Sequence, residues 1–268
     1  MTARLAFSGL ALAGLAGLAA LLLIGADDQQ QRVPADAAQI VRVYPHDSSA
    51  FTEGLFFQDG HLYESTGQVG HSSIRKVTLE TGKVVREVIV PAPYFGEGII
   101  AWGKQIISLT WQHQTGFRWT LDGFRKIGKF AYPGEGWALT SDGKAIIMSD
   151  GTPELRFLDP VTLKEQRRLR VTLNGRPLAK INEIEYVEGE ILANIWQTNY
   201  IVRIDPVSGK VIAAIDLSAL TQSVNPTDSN AVPNGIAWDA DHRRLFVTGK
   251  LWPVLFEITP PKSAPAKP

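Results

Sequence analysis

Phe51-Thr52-Glu53-Gly54-Leu55-Phe56-Phe57-Gln58-Asp59-Gly60-His61-Leu62-Tyr63-Glu64-Ser65 reads as a single hairpin. An acid–glycine pair opens it, Asp59-Gly60 turns the chain, and a second apolar run ends in Glu64-Ser65. Gly after an acid between two apolar runs signals a hairpin, because Gly accepts the positive φ of a tight turn. The opening returns as Glu97-Gly98-Ile99, Glu135-Gly136-Trp137, Asn182-Glu183-Ile184 and Asn234-Gly235-Ile236. Their spacing, roughly 40 to 50 residues, is the period of a four-stranded propeller blade.

A second hairpin closes most repeats. Ile74 to Leu79 alternates, turns at Thr81-Gly82 and resumes at Lys83 to Val90; Leu155 to Leu158 and Ile201 to Ile204 repeat the form before Asp-Pro. The expectation is an all-β fold, a five-bladed β-propeller spanning residues 39–260. A β-sandwich is the competing fold, and it leaves the regular period unexplained. No amphipathic helical run stands out after residue 40, and Ser218 to Pro233 reads as an inserted loop. In a blade the inner strand starts on the face where the second strand ends. Strand-one starts (Glu53, Glu97, Glu135, Asn182, Asn234) and strand-two ends (Glu64 to Thr66, Thr110-Trp111, Ser149-Asp150, Ile195-Trp196, Thr248 to Lys250) therefore share one mouth of the channel.

Composition narrows the function classes. With 27 basic and 27 acidic residues the formal net charge is zero, so the chain lacks the basic footprint of a nucleic-acid binder. It has no cysteine, which excludes disulfides, zinc-thiolate sites and cysteine nucleophiles. Leu5 to Ala26 carries no charge, so residues 1–26 read as a signal peptide or a membrane anchor. The protein is then exported, periplasmic or secreted, or tethered to the membrane by that segment alone. Residues 27–38 read as a flexible spacer and 261–268 as a disordered tail.

Carboxylates at an apolar mouth cannot all ionise without cost, since burial and like charges raise their pKa and Lys250 lowers it. Unequal neighbours thus separate an acid from a base. Trp111, Trp137 and Trp196 form an apolar wall, extended by Phe51 and Phe95, each two positions before a mouth glutamate. Asn182 and Lys250 supply donors for developing negative charge. Each residue also has a plainer reading. Glu135 and Asn234 read equally well as loop residues that start strands, Lys250 as a solvated lysine, and Trp102, Trp119 and Trp238 as blade packing. The five histidines (His46, His61, His71, His113, His242) read as surface or loop residues. No Ser-His-Asp pattern, phosphate loop or metal-spaced His pair is present.

These segments, with Tyr94-Phe95-Gly96-Glu97-Gly98, Asn182-Glu183-Ile184-Glu185-Tyr186, Ala193 to Thr198, Asn234 to Trp238 and Phe246 to Pro253, resemble the plant-type propeller glutaminyl-peptide cyclotransferases. The similarity runs from about Val43 to Ile258, in order through every repeat. It implies a transferase (acyltransferase) that turns N-terminal glutaminyl residues of peptides or proteins into pyroglutamate and releases ammonia. On this resemblance Glu97 matches the acid–base glutamate, Phe95, Trp111, Trp137 and Trp196 match pocket aromatics, and Asn182 and Lys250 match polar site residues. Glu53 departs from the pattern, standing where plant members carry Gln, and would alter the charge and pH optimum of the site.

The expected catalytic set is thus Glu97, Asn182, Lys250 and Glu53, with Phe51, Phe95, Trp111, Trp137 and Trp196 binding substrate and no metal required. Some family members bind a structural calcium; no clear ligand cluster for one is visible here. A monomer is expected. The alternatives are a carboxylate-dependent propeller glycosidase or lactonase and a non-catalytic peptide-binding propeller.

Overall fold

The computed structural model describes residues 33–262; the apolar segment 1–26, most of the spacer and the last six residues lie outside them. Five antiparallel sheets form five blades of four strands each, the fourth extended by one further edge strand. From the inner strand outward, blade one is Thr52–Gln58, His61–Thr66, Ser73–Thr78 and Lys83–Ile89. Blade two is Gly96–Trp102, Gln105–Thr110, Thr115–Thr120 and Lys126–Ala131. Blade three is Ala138–Ser141, Ile146–Ser149, Glu154–Leu158 and Glu165–Arg170. Blade four is Ile181–Val187, Glu190–Ile195, Tyr200–Ile204 and Val211–Asp216. Blade five is Pro233–Asp239, Arg244–Gly249 and Val254–Ile258, and its outer strand is Ile40–Pro45 from the start of the domain. That last pairing, Ile40 on Ile258 through Pro45 on Val254, closes the ring.

The inner strands contact one another around the axis. Their approach is close enough that a Cβ on Gly98 would lie 2.4 Å from Ala138 Cα, which is why glycine stands there. Alternation along each strand sends successive side chains to opposite seams. Ile99 packs into the seam with blade one and Ile100 into the seam with blade three. Ile146 and Ile147, Ile191 and Leu192, and Phe246 and Val247 divide in the same way. The buried clusters accordingly fall one to each seam between neighbouring blades. Trp119, Trp102 and Trp238 are packing residues of these seams.

Four local expectations need correction. Ala35–Ala37, inside the anticipated spacer, pairs in parallel with Ala214 to Asp216 on the edge of blade four. Its Ala-Asp-Ala sequence carries no β-branched or aromatic residue to signal a strand, which is made by backbone bonds, including Ala214 N–H to the Pro34 carbonyl at 2.8 Å. The inserted loop contains a short helix, Ser218–Val224, anchored by the buried Leu220. Within the tail, the Lys262 carbonyl accepts a bond from Arg203 at 2.8 Å.

His46 is the fourth case: it is no surface residue. Its side chain is 5% exposed, and both ring nitrogens face acceptors, the Trp252 carbonyl at 2.6 Å and Glu64 at 2.9 Å. Two acceptors require two N–H donors, and the imidazole pKa is raised accordingly against the opposing pull of burial. Glu64 also accepts from Thr52 at 2.7 Å and Arg75 at 2.5 Å, and Arg75 reaches Asp47 at 2.7 Å. Despite complete burial, these donors and charges hold the Glu64 carboxyl down at about 2. The clasp ties blade one to the closing strand of blade five.

Candidate active site

A cavity of about 230 Å³ opens at the mouth where inner strands start and second strands end. It is lined by Phe51, Glu53, Phe95, Glu97, Trp111, Trp137, Asn182, Trp196 and Lys250, together with Asn230. All nine residues singled out from the sequence therefore meet at one place. Asn230 was not among them. It comes from the inserted loop after Val224, whose Asn- and Ser-rich composition and position at a blade junction were the available signal.

The level of each residue follows from the blade repeat. Ser65 Oγ donates to the Glu97 carbonyl at 2.5 Å, and Ser149 Oγ donates to the Asn182 carbonyl at 2.8 Å. Second-strand serines thus set the ring residue of the next blade, and Glu97 and Asn182 occupy equivalent places. In blade three the register differs from the expectation. Gly98 N–H bonds the Trp137 carbonyl at 2.8 Å, so Trp137, not Glu135, stands at the ring level. The Glu-Gly spelling at 135–136 is a shift of two residues along the chain. Glu135 sits above, where its carboxylate accepts the indole N–H of Trp111 at 2.7 Å and of Trp137 at 2.8 Å.

The aromatic wall is an arc. Phe51 meets Phe95 edge-on at 6.2 Å, Phe95 meets Trp111 at 5.7 Å, and Trp137 meets Trp196 at 5.8 Å. Trp137 lies flat over Gly151, where a Cβ would come within 2.5 Å of its ring and the φ of +76° already favours glycine.

The polar groups divide into committed and uncommitted. Both Glu53 oxygens lie 2.6 Å from Lys250 Nζ, and Asn234 adds a 3.4 Å contact. Lys250 also sits 4.7 Å from the Phe51 ring centre. Lys250 is therefore not a solvated lysine: its charge is matched by Glu53. Burial raises the Glu53 carboxyl while the lysine pulls it back. By contrast, among the described residues no side chain or backbone donor bonds the Glu97 carboxylate or the Asn182 amide. Glu97 is only 5% exposed. Burial pushes its pKa well above the usual carboxylate range, the nearby carboxylates Glu53, Glu135 and Glu183 push further, and Lys250 opposes them. Below the mouth, Glu183 accepts the Leu55 N–H at 3.0 Å and its other oxygen has no hydrogen-bond partner among the described residues; burial raises this carboxyl strongly. The site thus offers a protonatable carboxyl and an amide inside an aromatic cup, beside a neutralised ion pair. Among the described residues no group of three or more His, Asp and Glu is arranged to hold a metal ion.

Comparison with known proteins agrees with this geometry. The family model described as glutamine cyclotransferase matches residues 13–259. A glutaminyl-peptide cyclotransferase of Arabidopsis thaliana is 42% identical over 224 residues, 82% of this chain and 70% of that protein. The crystal structure of Myxococcus xanthus glutaminyl cyclase superposes with a TM-score of 0.79 at 38% identity, covering 84% of this chain and 97% of that one. The chain belongs to the glutamine cyclotransferase family.

Proposed function

We infer that Glu97 is the proton shuttle of this enzyme. The chain converts N-terminal glutaminyl residues of peptides and proteins into pyroglutamate and releases ammonia, an intramolecular acyl transfer. The observation that carries the role of Glu97 is its position: a buried carboxyl with no hydrogen-bond partner among the described residues, facing a cup of aromatic rings. The cavity is smaller than the roughly 300–1,000 Å³ typical of sites for drug-sized ligands, which suits a single residue.

The α-amine nitrogen attacks the side-chain amide carbon, a C–N bond forms, and the amide oxygen becomes an oxyanion. Glu97 takes a proton from the attacking nitrogen and delivers it to the departing one. The oxyanion collapses, the old C–N bond breaks, and ammonia leaves. Holding one side-chain rotamer in the cup supplies the proximity advantage of a ring closure.

The raised pKa of Glu97 matters here. An α-amine titrates at about 7.7–8.0 and an ordinary Glu at about 4.3, and each unit of mismatch is about 1.4 kcal/mol. Burial without a partner narrows that gap, which is what efficient proton transfer needs. The Asn182 amide donates to the oxyanion, with Lys250 contributing the N–H that Glu53 leaves unused. Glu53 acts on the reaction by fixing Lys250.

The steps draw on protein side chains alone, so turnover is expected to persist in a chelator. The propeller works as a monomer outside the cytoplasm, with residues 1–26 serving as leader or anchor. Incubation of the protein with a Gln-initiated dipeptide tests the reading directly: product lighter by one ammonia is expected, and none from an N-acetylated dipeptide that lacks the nucleophile. Turnover lost in chelator would favour a metal-dependent lactonase-type enzyme. Tight binding without ammonia release would leave a peptide-binding propeller.

A further inference from the structure

The aromatic arc of the pocket has one polar joint. Phe51, Phe95 and Trp111 form a series of edge contacts, Trp137 and Trp196 form another, and the link between the two series is Glu135. A single carboxylate oxygen, Oε2, accepts both indole N–H groups, from Trp111 at 2.7 Å and from Trp137 at 2.8 Å. The other oxygen receives Gln112 Nε2 at 3.4 Å. Trp111 follows the second strand of blade two and Trp137 precedes the inner strand of blade three, so the carboxylate bridges two blades. Trp111 is 38% exposed, and its ring contact among the described residues is the edge-on one with Phe95. The bond from its N–H to Glu135 therefore adds a directional restraint to that edge contact.

We propose that Glu135 is a positioning residue of the cyclase, holding the Trp111 and Trp137 indoles as adjoining walls of the cup that receives the substrate glutaminyl residue. The proposal rests on the cyclase reading of this pocket. A merely structural loop residue would serve its own backbone, but here the backbone is held by other groups. Arg156 Nη1 donates to the Pro133 carbonyl at 2.6 Å, and Tyr132 Oη donates to the Thr110 carbonyl at 2.5 Å. The Gly136 N–H bonds the Trp111 carbonyl at 3.2 Å. The loop therefore keeps its place when the Glu135 side chain is removed, and the loss falls on the indoles.

The test compares Glu135→Ala with Glu135→Gln, whose amide oxygen still accepts both N–H groups. Steady-state kinetics use a Gln-initiated dipeptide, and near-ultraviolet circular dichroism reads the order of the tryptophans. In the Ala variant KM is expected to rise about tenfold or more with kcat changed less than about threefold; in the Gln variant KM returns to within about threefold of wild type. The tryptophan signal weakens in Ala and recovers in Gln. Should the Ala variant fail to fold, Glu135→Asp decides: one methylene shorter, it cannot reach both indoles, and a raised KM is expected. Wild-type KM in Ala or Asp, or a Gln variant as impaired as Ala, would overturn the proposal. If the wild type released no ammonia, the cyclase reading would fail, and the dichroism comparison would still decide Glu135.

Discussion

Glu64 and Glu97 lie near the same mouth of the propeller, in adjacent blades, at 1% and 5% exposure. One is among the most acidic carboxyls in the structure and the other is pushed well above its ordinary range. Burial penalises the charge of both. Glu64 offsets that penalty with Thr52, His46 and Arg75, whereas Glu97 receives no donor from the described residues and has further carboxylates nearby. The partner set, more than depth, decides whether a buried glutamate holds the fold or keeps a proton for chemistry.

The sharpest way to break this comparison is to make the same change at both sites. Glu64→Gln leaves Arg75 and His46 buried without their carboxylate, and a stability loss of about 3–5 kcal/mol is expected. Glu97→Gln removes a carboxyl that no described residue satisfies, so its denaturation midpoint should stay level or rise. Urea titrations of the two variants measure both, and equal losses would remove the distinction.

Acid titration sharpens it. The folded pKa of Glu64 lies below its ordinary 4.5, at about 2, so its contribution is present above pH 4.5 and lost as pH falls towards 2. That contribution is of order 3 kcal/mol. Glu64→Gln should therefore flatten the acid limb of stability against pH.

Glu185 has the opposite sign. Burial in the channel raises it to about 8, against the opposing pull of bonds from Thr140 at 2.9 Å and the Trp238 N–H at 3.2 Å. The unfolded chain loses this proton first, so stability falls as pH rises between 4.5 and 8. The slope is up to about 1.4 kcal/mol per pH unit. Glu185→Gln is expected to reduce that decline, read as denaturation midpoints at pH 5 and pH 8.

The smallest effect concerns the charge of Glu135, which raises Glu97 along with Glu53 and Glu183 while Lys250 opposes. Glu135→Gln removes one negative charge. The acid limb of kcat/KM should move to lower pH by a fraction of a unit, while the limb from the substrate amine stays put. A shift to higher pH would contradict the electrostatics.

Much of this was legible in the sequence because the blades repeat local features. Asp59-Gly60 and Asp142-Gly143 each mark the turn of an inner hairpin, and alternation marks which residues reach the seams. The mouth residues followed from topology, since strand-one starts and strand-two ends must share a face. What escaped depends on contacts distant along the chain. The Glu53–Lys250 pair joins residues 197 apart, and the His46–Glu64 clasp needs the ring to close before its two acceptors meet. The shift from Glu135 to Trp137 escaped for another reason. Both spellings start a strand, and only the backbone bond from Gly98 tells them apart.

The claim at the centre is that Glu97 moves the proton. Ammonia release from a Gln-initiated dipeptide, by wild type and Glu97→Gln in the presence of chelator, addresses it directly. Wild-type turnover is expected to persist and the variant, folded to the same midpoint, to lose about 10²–10⁴-fold in kcat. A Glu97→Gln enzyme that kept full turnover would contradict the assignment.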